Sequence, residues 1–315
     1  MSNQPRRPDS QHTFNQTDYA KSMLNRNHTG YSRDNRKKSR GMLKFASLLI
    51  VLVLVALSGH VLWSKHVSAE VKTARQAQIE AAEDAKRKIA IFSTQLSALL
   101  VANPADTIGV ATASTNDSVQ SYGVGDPFDG ASDGKLLTAA DYLHHVEQGT
   151  ASLNQDIDGQ TAEYWLNIML VNSDDNAWAE LNEYLTHDDL ENYAGTIGFN
   201  DYDPNINTFL PSDTARLLQQ LYSGQLLNNA DRSLMLDYLA QANYRTYIVP
   251  AVPKDDMVYH KIGLDDDEVN DAAIITNGQK YLVLAIFTNG NGSYNWDARA
   301  QLMQAITRDA IAAYL

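Results

Sequence analysis

The chain has 315 residues, 44% of them hydrophobic, which allows one sizeable folded domain with accessory segments. It has no cysteine, so disulfide bonds and thiolate metal sites are excluded. The net charge of −13 is unevenly distributed. Residues 1–44 hold ten basic and three acidic residues, which leaves −20 for the remainder and argues against nucleic-acid binding.

The N-terminal segment predicts a membrane anchor. Residues 1–44 are rich in Asn, Arg, Ser and Gln and poor in apolar residues, so we expect a disordered basic tail. Residues 45–63 carry no formal charge, and at ~1.5 Å per residue a helix of this length spans about 28 Å, enough for a bilayer core. The positive-inside bias places the tail in the cytoplasm and the C-terminal domain outside the cell, in a single-pass topology.

A cleaved signal peptide is the alternative for this segment. Val67-Ser68-Ala69 resembles a small-residue cleavage site. The basic leader is much longer than the n-region of a signal peptide, however, and the apolar run is longer than its h-region. We therefore favour an uncleaved anchor, followed over residues 64–87 by a helical stalk rich in Ala, Glu, Lys and Gln.

Residues 88–315 predict a domain that begins with an amphipathic helix and two strands. Apolar residues recur at helical spacing after Lys88, namely Ile89, Ile91, Phe92, Leu96, Leu99 and Leu100. Thr107–Ser114 and Asp117–Tyr122 read as strands joined at Thr115-Asn116. A mainly helical block follows, from Ser132 to about residue 242.

The C-terminal part predicts three more strands and a closing helix. The strands are Met257–Ile262, Ala272–Thr276 and Tyr281–Thr288, and Asn277-Gly278 is a hairpin signal between the last two. Tyr281–Thr288 is apolar on both faces, so this strand should be central and covered on both sides. With a last helix over 297–314, the pattern predicts an α+β fold, an antiparallel sheet with its first and last helices on one face.

The tetrapeptide Ser132-Asp133-Gly134-Lys135 is the main chemical signal. A serine hydroxyl is a weak nucleophile and needs a base. A lysine three residues on lies on the same helical face and can accept the serine proton if it is neutral. The alternatives are an ordinary N-cap serine and a solvated surface lysine.

Two further patterns follow in order, Ser173-Asp174-Asp175 and Lys261-Ile262-Gly263. The order Ser-x-x-Lys, Ser-Asp-Asn, Lys-Thr-Gly resembles that of class A β-lactamases and penicillin-binding proteins. The surrounding segments 128–149, 169–181 and 258–264 also resemble the helices and strand that carry these motifs in that family. The resemblance covers about residues 88–315 and implies a three-layer fold with a five-stranded antiparallel sheet flanked by helices.

The resemblance also implies roles for individual residues. Ser132 would be the nucleophile and Lys135 its base, Ser173 the proton-shuttling hydroxyl and Lys261 the positive charge opposite the serine. Three more residues would contact the substrate: Asp175, Asn176 and Gly263.

The chain departs from the family pattern at three places. Asp175 stands where the family usually has Asn, unless a one-residue slip brings Asn176 there instead. Ile262 replaces a Thr or Ser whose hydroxyl binds the substrate carboxylate. Asp203-Pro204-Asn205-Ile206-Asn207 is similar to the Glu-Pro-x-x-Asn loop, but Asp203 is one methylene short of the deacylating glutamate, so we expect a turn acid rather than a catalytic one.

These observations predict a membrane-anchored, extracytoplasmic serine hydrolase that acts through an acyl-enzyme on a β-lactam or a cell-wall D-alanyl peptide. The alternative is a catalytically impaired member of the fold that serves as a cell-envelope binding or scaffold module. The histidines lack metal-ligand spacing, and no phosphate-binding glycine loop occurs, so we expect neither a metal nor a cofactor.

Overall fold

The computed structural model of the protein describes residues 35–115, 117–199 and 202–315. Most of the predicted tail therefore lies outside the described residues, as does Asn116 at the first predicted hairpin turn. The chain divides into two units, Met1–Ala74 and Arg75–Leu315.

In the first unit, the described residues belong to the long helix α1 (Asn35–Ala102), which continues into the second unit. The described chain has one helical stretch that is long and apolar enough to cross a membrane, beginning at Ser47, with a mean hydropathy of 2.2 in its most apolar window. Its large apolar side chains from Leu48 to Trp63 are solvent-exposed, from 49% at Val61 to 68% at Leu62. The predicted stalk, residues 64–87, is helical throughout.

The second unit follows the predicted order of a helix, two strands, a helical block, three strands and a last helix, with four two-residue strands that were not predicted. After α1 come β1 (Thr107–Ser114), β2 (Asp117–Gly123), β3 (Phe128–Asp129), a 3₁₀ turn (Ala131–Asp133), α2 (Gly134–Glu147), β4 (Asp156–Ile157) and β5 (Gln160–Thr161). The helical block continues with α3 (Ala162–Val171), α4 (Asp175–Leu185), α5 (His187–Ile197), β6 (Thr208–Phe209), α6 (Pro211–Ser223) and α7 (Asn229–Ala240). A 3₁₀ turn (Val249–Ala251), β7 (Met257–Asp265), β8 (Glu268–Thr276), β9 (Tyr281–Asn289) and α8 (Trp296–Tyr314) complete the chain.

The main sheet has five antiparallel strands in the order β2-β1-β9-β8-β7. β9 is the central strand, as its apolar sequence predicts, and all its residues but the last are buried. β8 begins at Glu268, four residues before the predicted start, because Glu268 and Asp265 close the hairpin with β7. The edge strand β7 is the one that carries the third motif.

Two hydrophobic cores cover the two faces of the sheet. One contains Phe92 and Leu96 of α1, Met303 and Ile306 of α8, and alternate residues of the strands. The other face packs against the helical block α2–α7. The first and last helices therefore lie on one face, as predicted. Ile91, one of the apolar residues in the helical pattern, is 52% exposed, since it lies about 100° around the helix from Phe92.

Candidate active site

The backbone of the turn that carries Ser132 is held by close contacts and hydrogen bonds. Ser132 lies in the 3₁₀ turn immediately before α2 and is half-buried. Ala131 has a positive φ of 45°, and its N–H donates to Asp129 Oδ1 at 2.8 Å. A Cβ on Gly130 would lie 2.0 Å from the ring of Phe209, so only glycine fits there. These contacts fix the serine hydroxyl at the mouth of the helix.

Lys135 lies one turn further on, with its side chain fully buried. Its Nζ donates to Ser132 Oγ at 2.5 Å and to Asp175 Oδ1 at 2.6 Å, and lies 4.7 Å from the Trp178 ring centroid. Burial lowers the pKa of Lys135, and the Asp175 carboxylate partly opposes this shift by favouring the charged amine. The amine is therefore in contact with the hydroxyl it would deprotonate.

The second motif lies between α3 and α4. Ser173 has a positive φ of 59°, and Asp174 caps α4 by accepting from Ala177 N at 2.9 Å. Asp175 reaches Lys135 while Asn176 is exposed, so the structure places Asp175 at the position beside the lysine. The Asp175 side chain is 86% exposed and faces the cavity that contains Ser132.

The third motif lies on the edge strand β7. Lys261 is buried, and its Nζ donates to Ser173 Oγ and to Ile262 O, both at 2.7 Å. Burial lowers the pKa of Lys261 to about 7. A Cβ on Gly263 would lie 2.7 Å from Gly130 O, so glycine allows β7 to approach the nucleophile turn. Ile262 is only 4% exposed and belongs to the core on the other face of the sheet.

The loop after α5 closes the opposite side of the site. Asn207 Nδ2 donates to Ala131 O at 2.9 Å, and the Asn207 backbone oxygen accepts from Gly130 N at 2.9 Å. Asp203 Oδ1 instead accepts from Asn205 N at 2.9 Å and from Asn205 Nδ2 at 3.1 Å, which engages its carboxylate within its own turn. This arrangement fits the expectation of a turn acid.

Two adjoining cavities contain Ser132. One of about 240 Å³ is lined by Ser132, Asn172, Ser173, Asp175, Tyr244, Ile262 and Leu264. The other cavity, of about 430 Å³, shares Ser132, Asp175 and Leu264 with the first. Its remaining lining residues are Asp129, Ala131, Trp178, Asn205, Ile206, Asn207 and Asp265. Tyr244, Trp178 and Asn207 were not predicted as site residues. Trp178 follows Asp175 by three residues on α4, a spacing that could have identified it; nothing in the sequence singles out Tyr244.

The predicted residues thus meet at one place. Ser132, Lys135, Ser173, Lys261 and Asp175 form a chain of contacts from α2 to β7, and Gly263 lies against the same turn. Asn176 is the predicted residue that the structure leaves in solvent. In the described parts of the chain, no cluster of three or more His, Asp or Glu side chains has metal-binding geometry.

An antiparallel sheet with helices on both faces and a serine–lysine pair at its edge strand is the architecture of the β-lactamase-like serine hydrolases. The chain belongs to the beta-lactamase enzyme family, whose model matches residues 91–314. None of the curated proteins matches the chain significantly in sequence.

Solved structures show the same fold. A variant of the class A β-lactamase of the last common ancestor of Gram-negative bacteria is 24% identical, with a TM-score of 0.65 over 71% of this chain and 98% of that one. PBP-A is 19% identical, with a TM-score of 0.63 over 69% and 93%. A PBP-A mutant solved as an acyl-enzyme complex with penicillin G is also 19% identical, with a TM-score of 0.64 over 70% and 94%.

Proposed function

We propose that the protein is a membrane-anchored, extracytoplasmic serine hydrolase that is acylated at Ser132 by a β-lactam or a cell-wall D-alanyl peptide. The observation that carries the proposal is the 2.5 Å contact between Lys135 Nζ and Ser132 Oγ beside an open cavity. The family membership and the penicillin acyl-enzyme of PBP-A support the substrate class.

The proposed reaction uses four side chains. Neutral Lys135 accepts the Ser132 proton as Oγ attacks the carbonyl carbon, and the Oγ–C bond forms. The C–N bond then breaks, and the leaving nitrogen takes up the proton that Lys135 removed, relayed through the Ser173 hydroxyl, which Lys261 holds in place. Backbone N–H groups at the start of α2 are suited to stabilise the oxyanion.

In the second step, hydrolysis of the acyl-enzyme, the residue in the place of the family's deacylating glutamate is Asp203. Asp203 is bound to Asn205 within its own turn, and a misplacement of about 1 Å in a catalytic group can reduce a rate by ~100-fold. We therefore expect a persistent adduct and poor turnover. The same observation favours the second candidate function, a binding or scaffold module of the cell envelope that retains the fold.

Fluorescent penicillin tests the function on the full-length chain in detergent. We expect a lasting covalent adduct, located on Ser132 by peptide mass spectrometry and abolished by Ser132→Ala. Folding should change little, since Ser132 is only half-buried, and Lys135 keeps its hydrogen bond to Asp175 when the hydroxyl is lost. If neither a β-lactam nor a D-alanyl thioester gives an adduct, the proposed activity is wrong and the binding module remains. Fast hydrolysis without an adduct would identify a true lactamase instead.

The anchor and its topology are part of the proposal. The exposed apolar stretch at the start of the candidate span and the basic tail that precedes it both support a single-pass helix with the hydrolase domain outside. Protease added to intact protoplasts should remove the C-terminal domain and spare an epitope on the tail. A C-terminal domain that is protected until the membrane is permeabilised would contradict this topology.

A further inference from the structure

The two cavities beside Ser132 differ in which part of a substrate they can take. Ser132 lines both of them, whereas Ser173 lines only the smaller one. In the proposed reaction the Ser173 hydroxyl passes a proton to the leaving nitrogen, so the leaving group belongs in the smaller cavity. The acyl part, which stays attached to Ser132, then extends into the larger cavity beside Asn207.

The charged residues that line these cavities in the described chain are all acidic. They are Asp175 on α4, Asp129 on β3 and Asp265 at the end of β7. All three line the larger cavity, and Asp175 also lines the smaller one. Asp265 follows Gly263 by two residues, so its side chain lies on the face of β7 that approaches the nucleophile turn.

The three carboxyl groups lie close enough to affect one another. Burial, followed by the charges of Asp129 and Asp266, raises the pKa of Asp265, and the charge of Asp175 adds to this shift. Like charges held together disfavour each other's ionised form. A positive group in the larger cavity would relieve this repulsion.

The two lysines of the site do not offset this negative lining. Neither of them lines a cavity, and Lys135 and Lys261 are at most 1% exposed. Their amines are held by hydrogen bonds within the site. Lys135 must also be neutral to act as the base, and in that form it does not balance the charge of Asp175.

The uncharged groups also fit a hydrogen-bond donor better than a carboxylate. Asn207 Nδ2 is taken up by Ala131 O, whereas Asn207 Oδ1 has no hydrogen-bond partner within the described residues. Ile262 stands where the family has a hydroxyl that binds the substrate carboxylate, and its side chain is buried in the core on the other face of the sheet. Ile262 therefore offers no hydroxyl to a carboxylate.

We infer that the protein prefers acyl donors that carry a positive charge, such as an ammonium group, on the acyl part, and that Asp265 is a specificity-determining residue. The positive group lies among the three carboxylates of the larger cavity. Asp265 has no part in the proposed proton transfers, so its contribution can be measured separately from the chemistry. The inference rests on the proposed function, which identifies Ser132 as the nucleophile and so places the acyl part.

Penicillin G and ampicillin are a matched pair of probes, since they differ by one amino group on the acyl side chain. At about pH 6.5 this amine is mostly protonated, because an α-amino group has a pKa of about 7.7–8.0. With the full-length chain in detergent, ampicillin should acylate Ser132 about tenfold faster, from three charge contributions of about twofold each. Ampicillin acetylated on this amine should lose the advantage. Equal rates for penicillin G and ampicillin would overturn the inference.

A single substitution tests the residue. Asp265→Asn should reduce the ratio of the two acylation rates by about two- to fivefold, the effect of one exposed charge pair. Asp266→Asn is the matched control, since Asp266 is the next acid of the same hairpin, is exposed and lines neither cavity. The control should keep the wild-type ratio. An unchanged ratio in Asp265→Asn, or an equal loss in both variants, would overturn the role of Asp265.

Binding to Ser132→Ala tests the charge preference without acylation. Titration calorimetry should give a dissociation constant for ampicillin about tenfold below that for penicillin G, for the same electrostatic reason. If no β-lactam acylates the wild type but ampicillin still binds more tightly, the proposed activity is wrong and the charge preference stands. If ampicillin has no advantage in binding either, the preference is wrong as well.

Discussion

Lys135→Ala should slow the acylation of Ser132 by about 10²–10⁴-fold, the usual contribution of a general base. Lys135 Nζ is 2.5 Å from Ser132 Oγ, and the described chain offers that hydroxyl no other hydrogen-bonded side chain. Without the amine, Oγ must attack as a neutral hydroxyl. The rate of labelling by a fluorescent penicillin, followed over time at fixed pH, measures the loss.

Two further variants separate chemistry from packing. Lys135 is fully buried, so alanine also leaves a cavity. Lys135→Met fills most of that volume without an amine and should be as slow as the alanine variant. Lys254→Ala removes an exposed lysine and should label at the wild-type rate. A Lys135→Met protein that labels normally would show that the lysine has a structural role only.

Asp175→Asn should accelerate acylation at neutral pH by about tenfold, the effect of roughly one unit in a pKa. The Asp175 carboxylate favours the charged form of Lys135 against the effect of burial. A lysine base acts in its neutral form, so loss of this negative charge lowers the pKa of Lys135 and increases the neutral fraction at a given pH. The acidic limb of the pH–rate profile should therefore move to lower pH.

The control for this substitution is Asp188→Asn. Asp188 is an exposed acid in the first turn of α5, as Asp175 is in the first turn of α4, so it reports any effect of removing a charge from a helix start. The pH–rate profile of acylation in Asp188→Asn should match that of the wild type. If Asp175→Asn labels more slowly than the wild type at every pH, then Asp175 holds Lys135 in position and its charge is not inhibitory.

The elements of the fold were predictable because their signals are local. Two-sided apolar character identified β9 as the central strand, and Asn277-Gly278 marked the hairpin between β8 and β9. Helical spacing found the first helix of the domain from Phe92 and Leu96, although Ile91, which is part of the same pattern, is exposed. Periodicity locates an apolar stripe but does not fix its width, which depends on what lies against the helix.

The first motif predicted that Ser132 and Lys135 meet, since they are one helical turn apart and their contact needs no distant partner. The roles of these residues remain proposals. The register of the second motif was open in the sequence, because Asp175 and Asn176 are adjacent and both polar. The packing of α4 against α2 placed Asp175 beside Lys135 and left Asn176 in solvent.

The sequence by itself determined the first and last helices of the domain, the five strands of the main sheet, the order of the three motifs and the apolar segment before the domain, since each depends on residues close together in the chain. Only the tertiary structure decided that Asp133 is buried without a hydrogen-bond partner among the described residues, that Asn207 closes the nucleophile turn, and that Asp203 is bound to its own loop. The contact that closes the nucleophile turn joins Asn207 and Ala131, which are 76 positions apart, so the sequence alone does not show it. The electrostatics of the site follow from that packing, because burial changes the pKa of Asp133 and Lys261.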